Sequence, residues 1–191
     1  MKKIFKKKTL TKLITLSLIV ISIGSAVACA SNSDINTSSS TKNNKENELT
    51  VEQAKEIALK ESNRGKVIGY ERDVDFGEKA FEITILDGKT EKEYKIDMKS
   101  GKVLKVEAKD ISIDPEEKLL INANPKNDID KAESLVKAKY PNLTIKKLKL
   151  EVENGNLVYD VTVIKGNNEI EAKLDANSEN FIEEEVDNQD D

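Results

Sequence analysis

The sequence predicts an α+β protein that consists of two tandem small modules after a signal peptide and a disordered tether. Three features carry this prediction: an apolar run near the start, a repeat of apolar positions, and, within each repeat, helical periodicity followed by alternating segments. Each module is expected to have one N-terminal helix packed on an antiparallel sheet of three to four strands. The predicted segments are a signal peptide (1–28), tether (29–47), first module (48–110), connector (111–126), second module (127–187) and acidic tail (188–191).

The N-terminal segment, 1–28, has the order of an export signal. Positions 1–12 contain six lysines and no acidic residue, and positions 13–28 form an uncharged, mostly apolar stretch. A helix that crosses a membrane needs about 20 predominantly apolar residues, which is more than this stretch provides. A basic head, a short apolar run and a small-residue exit are typical of a secretory signal peptide.

The exit of this segment reads Ala26-Val27-Ala28-Cys29 and resembles the lipobox of bacterial lipoproteins, in which leucine is commoner at the first of these positions. The resemblance implies that Cys29 receives a diacylglycerol and becomes the new N-terminus, on the extracytoplasmic face of the cell membrane. Two acyl chains give stable anchoring. The alternative is an ordinary signal peptide that ends in a chance cysteine. Residues 29–47 are rich in Ser, Asn and Thr, which favours a flexible tether.

Composition excludes several functions. The chain has no histidine and one cysteine, so neither a Ser-His-Asp triad nor a Cys-His pair is available, and the usual His/Cys zinc sites are excluded. We therefore expect no enzyme, no cofactor and no metal. Residues 29–191 contain 25 of the 31 basic residues and all 36 acidic ones, so this part of the chain is negatively charged. A negative charge disfavours nucleic acid as a partner.

The repeat appears when residues 50–107 are aligned without gaps on 128–185, which places Thr50 on Asp128. Apolar positions coincide along the alignment, and matched core positions over an ungapped stretch imply the same fold twice. The matched positions include Ile57/Leu135, Val67/Ile145, Tyr70/Leu148, Phe81/Tyr159, Ile83/Val161, Ile85/Val163 and Ile96/Leu174.

Each copy is expected to open with a helix. Thr50, followed by Gln53, and Asp128 are plausible N-caps, and apolar residues then recur on one helical face. Gly65 and Pro141 should end the two helices near Arg64 and Tyr140. The strands, which alternate apolar and polar residues, are predicted at 66–75, 79–86, 91–98 and 102–109, and at 144–153, 157–164, 169–176 and 180–186.

The connector begins like a helix, because Pro115 follows Asp114 and two acidic residues come next. Leu119, Leu120 and Ile121 would then pack between the modules.

A segment at residues 73–77 faintly resembles a calcium loop but lacks its later ligands, so a solvated strand end is favoured. Lys146, Lys147 and Lys149 are expected on the solvent face of a strand, where lysines discourage edge-to-edge aggregation.

Each copy also resembles the PepSY domain, a family with an early Ala-x-x-x-Ala, a Tyr-x-Val-type strand and a closing Asp-x-x-x-Gly-x-Val. The first copy matches through Ala54 to Ala58, Phe81 to Ile83 and Asp97 to Val103; the second matches through Ala132, Tyr159 to Val161 and Asp175. It departs at Val136, and at Glu179, which replaces the turn glycine. The family has no agreed catalytic residues, and both aspartates are interpreted as turn-forming.

The resemblance implies a protein-binding role, with an exported peptidase or another envelope protein as the partner, since PepSY domains occur in propeptides of thermolysin-like metallopeptidases. The leading hypothesis is therefore a lipid-anchored binding module that regulates or inhibits exported peptidases, docking through a sheet edge or the open sheet face. The alternatives are an extracytoplasmic sensor or small-ligand-binding lipoprotein with a site between the modules, and a purely structural envelope protein.

Overall fold

The computed structural model describes residues 48–75, 78–166 and 168–187. The predicted signal peptide, the tether with Cys29, and the acidic tail lie outside the described residues, as does Gly77 of the calcium-like segment. All of these described residues belong to one compact unit.

Two α-helices start at the predicted caps. Helix α1 spans Val51–Ser62, and the Thr50 side chain accepts a hydrogen bond from the Gln53 backbone N–H while the Gln53 side chain accepts one from the Thr50 N–H. Helix α2 spans Ile129–Lys139, and the Asp128 side chain accepts a hydrogen bond from the Lys131 N–H. Each capping oxygen satisfies a backbone N–H that has no partner within the helix.

Eight antiparallel strands follow the predicted pattern to within one residue at each end. They are β1 (Lys66–Asp75), β2 (Glu78–Asp87), β3 (Thr90–Asp97) and β4 (Val103–Asp110), then β5 (Thr144–Glu153), β6 (Asn156–Lys165), β7 (Asn168–Asp175) and β8 (Phe181–Asp187).

All eight strands belong to a single sheet, in the order β4-β3-β2-β1-β5-β6-β7-β8. The α+β class with an antiparallel sheet is therefore confirmed, but the expectation of one separate sheet per module is wrong. Strand β1 pairs with β5, so each four-stranded meander covers one edge of the other. This pairing removes two of the four edges that two separate sheets would expose.

The repeat is reproduced in the strand register. The irregularity between Val67 and Gly69 in β1 recurs between Ile145 and Lys147 in β5, at the equivalent positions of the repeat. A second irregularity, where β3 meets β4, recurs where β7 meets β8. Because bulges are local features of a particular strand pairing, their recurrence shows that the matched apolar positions have matched environments.

The core lies between one face of the sheet and the two helices. Phe81, Ile83 and Ile85 of β2 are fully buried, as are Leu148 of β5 and Val161 and Val163 of β6. The helices contribute Ala54, Ala58, Ala132 and Val136, all at 0% exposure. Small residues on the helices allow a close approach to the sheet.

The connector forms a short 3-10 helix, Glu117–Asn122, instead of starting a helix at Pro115. The Asp114 carboxylate accepts hydrogen bonds from the Glu116 and Glu117 N–H groups. The helix therefore begins at Glu117, two residues after the predicted start at Pro115. Leu120 is buried, whereas Leu119 is half exposed, so the connector contributes less to the core than its three apolar residues suggested.

Among the described residues, no helix is both long enough and apolar enough to cross a membrane.

Candidate functional site

The junction of the two modules has the geometry of a two-fold axis. Tyr70 of β1 lies opposite Leu148 of β5, and these two residues occupy equivalent positions of the repeat. On either side, Gly69 faces Lys149 and Glu71 faces Lys147. Antiparallel pairing centred on equivalent residues is what a two-fold axis normal to the sheet produces. Both helices therefore lie on the same face, on opposite sides of this axis.

A buried ion pair joins the helices across the axis. The ammonium of Lys55 lies 2.9 Å from the Glu133 carboxylate, and these two residues also occupy equivalent positions of the repeat. Their side chains are 10% and 7% exposed. Lys55 also reaches Asp130 at 3.2 Å, and Lys137 donates to the second oxygen of Glu133. The network satisfies both buried charges, which is the condition under which such a pair persists.

The electrostatics keep this network charged. Burial opposes ionisation of Glu133, but hydrogen bonds from Lys137 and Lys55 outweigh it and lower the pKa of the carboxyl group. Burial likewise opposes the charge of Lys55, whose pKa is nevertheless raised by Glu133 and Asp130. Burial, together with the charge of Glu133, raises the pKa of the nearby Tyr70 phenol far above its usual value. Tyr70 is therefore neutral and unsuited to act as a nucleophile.

A groove of about 440 Å³ lies beside this network and takes its walls from both modules. The start of α1, Tyr70 and Arg72 form one wall, and Glu133, Lys137 and residues 143–145 form the other. Its charged side chains carry both signs, and it opens to solvent. Small-molecule sites are usually enclosed and mostly apolar, and this groove is neither.

A second contact between the modules lies on the open face of the sheet. A Cβ atom on Gly69 would lie 2.7 Å from the Lys149 Cγ, so the side chain of Lys149 passes directly over the glycine. The Lys149 ammonium then reaches the Glu91 carboxylate of β3 at 2.9 Å. Gly69 is therefore required for close approach rather than for a turn.

The rest of the open face carries ion pairs between strands. Lys147 pairs with Asp160 at 2.7 Å, Lys173 with Glu153 at 2.6 Å, and Lys95 with Asp73. These pairs leave little apolar surface on this face for a partner to bury. An apolar docking surface must therefore be sought elsewhere.

The two edge strands expose the apolar side chains that the open face lacks. On β4, Leu104 is 48% and Val106 50% exposed; on β8, Ile182 is 57% and Val186 50% exposed. Strands β4 and β8 end the sheet, so each has an outer backbone edge without a strand partner in the described part of the chain.

The two edges differ because helix α2 reaches β8. The Tyr140 ring packs edge-on against Phe181, with centroids 5.9 Å apart, and its hydroxyl donates to Glu184 at 2.6 Å. Lys139 also pairs with Glu184 at 2.6 Å. In module one, Tyr140 is replaced by Ser62, Lys139 by Glu61 and Glu184 by Val106, so the residues that make these contacts are not present there. Strand β4 is consequently less covered by its helix than β8 is.

The residues singled out in the sequence have mostly structural roles. Asp97 accepts a hydrogen bond from the Ser100 N–H at 2.7 Å, and Asp175 accepts one from the Asn177 N–H at 2.8 Å, which confirms both as turn-forming residues. Among the described residues no group of three or more acidic, histidine or cysteine side chains is placed to hold a metal ion.

Lys147 and Lys149 lie on the open, solvent-facing side of the sheet, as predicted, but the expectation that the cluster protects a sheet edge is wrong. Strand β5 is central rather than at an edge, and Lys146, Lys147 and Lys149 each pair with an acidic residue of another strand. Sequence reasoning also missed Lys55 and Glu133. The available signal was their opposite charge at equivalent repeat positions, on helix faces that are otherwise small and apolar.

Comparisons with known proteins agree with the duplicated fold. The sequence model of the PepSY family, described as "Peptidase propeptide and YPEB domain", matches residues 48–107 and 128–185. No curated protein matches the chain.

Two solved structures are similar to this chain at low identity. A candidate lipoprotein from Clostridium difficile 630 is 16% identical, with a TM-score of 0.48, over 75% of this chain and 97% of that one. The YpeB C-terminal domain of Bacillus megaterium is 15% identical, with a TM-score of 0.34, over 76% of this chain and 69% of that one. These likenesses are too distant to assign a function. The two family matches together span more than half of the sequence, and the chain therefore belongs to the PepSY family.

Proposed function

We propose that this chain is a non-enzymatic binding protein, anchored by lipid on Cys29 to the extracytoplasmic face of a bacterial cell membrane, and that exported peptidases are its partners. The observation that carries the binding role is the placement of exposed apolar side chains on the two sheet edges, while the open face is covered by ion pairs. The family's description as a peptidase propeptide domain supports the partner class.

The structural route we propose is strand addition at an edge. A partner strand would take its main-chain hydrogen bonds from β4 or β8 and its side-chain contacts from Leu104, Val106, Ile182 or Val186. Such binding needs no catalytic group. It leaves the core, the helix pair and the β1–β5 junction unchanged.

The experiment that tests this role is crosslinking pull-down from intact cells with residues 43–191, followed by an inhibition assay. We expect enrichment of an exported metallopeptidase and its inhibition by the purified protein. Leu104→Lys and Ile182→Lys, at equivalent positions on the two edges, should show which edge binds. Pull-downs that recover no protein above background would contradict the proposal, whereas a captured peptidase that is not inhibited would support binding and contradict an inhibitory role.

The lipid anchor is tested separately. Cys29→Ser removes the thiol that would carry the diacylglycerol, so the protein should be shed into the medium or retain its leader. Mass spectrometry of the membrane fraction measures both outcomes. Unchanged membrane retention with the normal mature mass would count against lipid on Cys29 and would leave the binding proposal standing.

The size of the groove and its position between the modules, but not its open and charged lining, favour a second candidate function, an extracytoplasmic sensor or small-ligand-binding lipoprotein. Its volume of about 440 Å³ falls within the range of small-molecule sites, and both modules line it. A ligand there would meet charges of both signs from Arg72 and Glu52, because Glu133 already binds Lys55 and Lys137. A thermal-shift screen of zwitterionic metabolites tests this, with Arg72→Gln as the variant that should lose any stabilisation.

A further inference from the structure

Strand β4 presents an exposed surface on both faces. Every residue from Leu104 to Asp110 is exposed, and the half-exposed Val106 lies opposite Tyr94 of β3 on the helix-bearing face. The strand is irregular at Leu104 and regular from Lys105 to Asp110. A regular, exposed edge with apolar side chains readily pairs with another strand, and proteins commonly protect such edges with charge, proline, a bulge or a covering segment.

The sequence of β4 is complementary to itself in one antiparallel register. When two copies pair with Val106 opposite Val106, in the part of β4 that is regular, Lys105 of each copy lies opposite Glu107 of the other. The symmetric pairing therefore forms two salt bridges on one face and an apolar contact on the other. Opposite charges and apolar pairs directly across strands are the contacts that stabilise antiparallel pairing.

Neighbouring registers are unfavourable. Centring the pair on Lys105 places that lysine opposite itself, and centring it on Glu107 places two glutamates together while Lys105 faces Lys109. Like charges directly across strands are destabilising. The pattern of charges thus selects the register about Val106 over the adjacent ones.

Charges already within the sheet favour the same partner. Lys105 lies opposite Lys95 of β3, and Glu107 lies opposite Glu93, so both direct neighbours carry like charge. Burial and the nearby carboxylates of Glu82 and Glu107 raise the pKa of Glu93. In a single copy, Lys105 and Glu107 contact each other at 2.6 Å along their own strand, in an exposed ion pair that contributes little. A second copy would give each of them a partner directly across the new strand pair.

Strand β8, the equivalent edge, cannot pair with itself in this way. The residues equivalent to Lys105, Val106 and Glu107 are Glu183, Glu184 and Glu185. Self-pairing about Glu184 would bring six carboxylates together, and Glu184 is already bound by Lys139 and Tyr140. The two edges of one duplicated fold are therefore different: one is protected by charge and the other is self-complementary.

We propose that β4 pairs with β4 of a second copy of this chain, antiparallel about Val106, so that two sheets become one. The β1–β5 junction shows that this fold already joins two four-stranded meanders through an antiparallel pair centred on a two-fold axis. The pairing closes after two copies, because β8 does not continue it. It does not require the peptidase-binding role, but it occupies β4, so a peptidase strand that binds the dimer would have to add at β8.

Charge reversal tests the register by sedimentation velocity on residues 43–191, which form a compact unit. The unaltered protein should show a concentration-dependent monomer–dimer equilibrium. Lys105→Glu or Glu107→Lys alone places two like-charged pairs across the interface and should weaken dimerisation about tenfold or more. The double variant Lys105→Glu/Glu107→Lys should restore it. Lys105→Glu puts an acid opposite Lys95 but removes the contact with Glu107, so recovery of the dimer in the double variant is the result that separates the register from an effect on the fold.

Crosslinking tests the axis in the full chain. Val106→Cys places one thiol from each copy at the two-fold axis, so mild oxidation should give a disulfide-linked dimer. Glu184→Cys, at the equivalent position of β8, is the matched control and should stay uncrosslinked. A monomer at every concentration, equal crosslinking at both positions, or open-ended growth from β4–β8 pairing would overturn the proposal. Dimerisation that ignores the charge reversals would overturn the register.

Discussion

The ion pair between Lys55 and Glu133 predicts a specific loss of stability when one partner is removed. The two side chains are 10% and 7% exposed and their charged atoms are 2.9 Å apart, so Glu133→Leu leaves an ammonium buried between the helices. Breaking a buried pair on one side costs about 3–5 kcal/mol. The lower end applies here, because Asp130 still reaches the ammonium at 3.2 Å from a largely exposed position.

The expected result for Glu133→Leu is therefore a loss of about 3 kcal/mol in the free energy of unfolding, or about 9 °C in Tm for a unit of this size. Urea denaturation of residues 43–191 measures it. The double variant Lys55→Met/Glu133→Leu replaces the pair by apolar side chains of similar size and should recover most of the loss, since such replacements are often neutral.

An exposed pair provides the control. Lys131 and Glu179 lie 3.0 Å apart with side chains 49% and 68% exposed, so Lys131→Met should change stability by less than about 0.5 kcal/mol. The reasoning is refuted if Glu133→Leu is no more destabilising than this control. It is also refuted if the double variant loses as much as the sum of the two single changes, because the pair would then have no coupling energy.

Two further predictions concern the same junction. The pKa of Glu133 is lowered in the folded state from its ordinary value of 4.5, so the stability that its charge contributes is present above that value and is lost as the pH falls through the folded pKa. The difference in unfolding free energy between the unaltered protein and Glu133→Gln should therefore shrink below about pH 4.5. Urea denaturation at stepwise pH measures this difference, and a constant value would contradict the prediction. Gly69→Ala places a Cβ atom 2.9 Å from the Lys149 Cα, so it should lower the free energy of unfolding by about 1–3 kcal/mol in the same assay. An unchanged stability would show that β1 and β5 can move apart at this point without penalty.

Local structure was largely predictable from the sequence because its determinants are local. The N-caps Thr50 and Asp128, and the alternation of apolar residues along β2 and β6, each specify one element without reference to the rest of the chain. The first helix ends before the predicted Gly65, because Asn63 adopts the left-handed conformation that terminates a helix and its N–H donates to the Leu59 carbonyl.

The union of the two modules in one sheet was not predictable in this way. Its determinants are far apart in sequence. Gly69, which occurs only in module one, makes room for the side chain of Lys149 from module two, and the buried ammonium of Lys55 is paired with the carboxylate of Glu133. None of these alters the periodicity of its own strand or helix. The candidate docking edges follow from this union, because only the strand order shows that β4 and β8 are the edges that are left.

The two-fold arrangement at the junction has a consequence for how freely the halves can diverge. In a pair of identical, unlinked chains, any residue on the symmetry axis meets its own copy, and a charge there would repel itself. Covalent linkage removes that constraint, so one half can carry Lys55 and the other Glu133. A hybrid chain with the first module in both halves would bury two facing ammonium groups, so the halves are matched to each other and are no longer interchangeable.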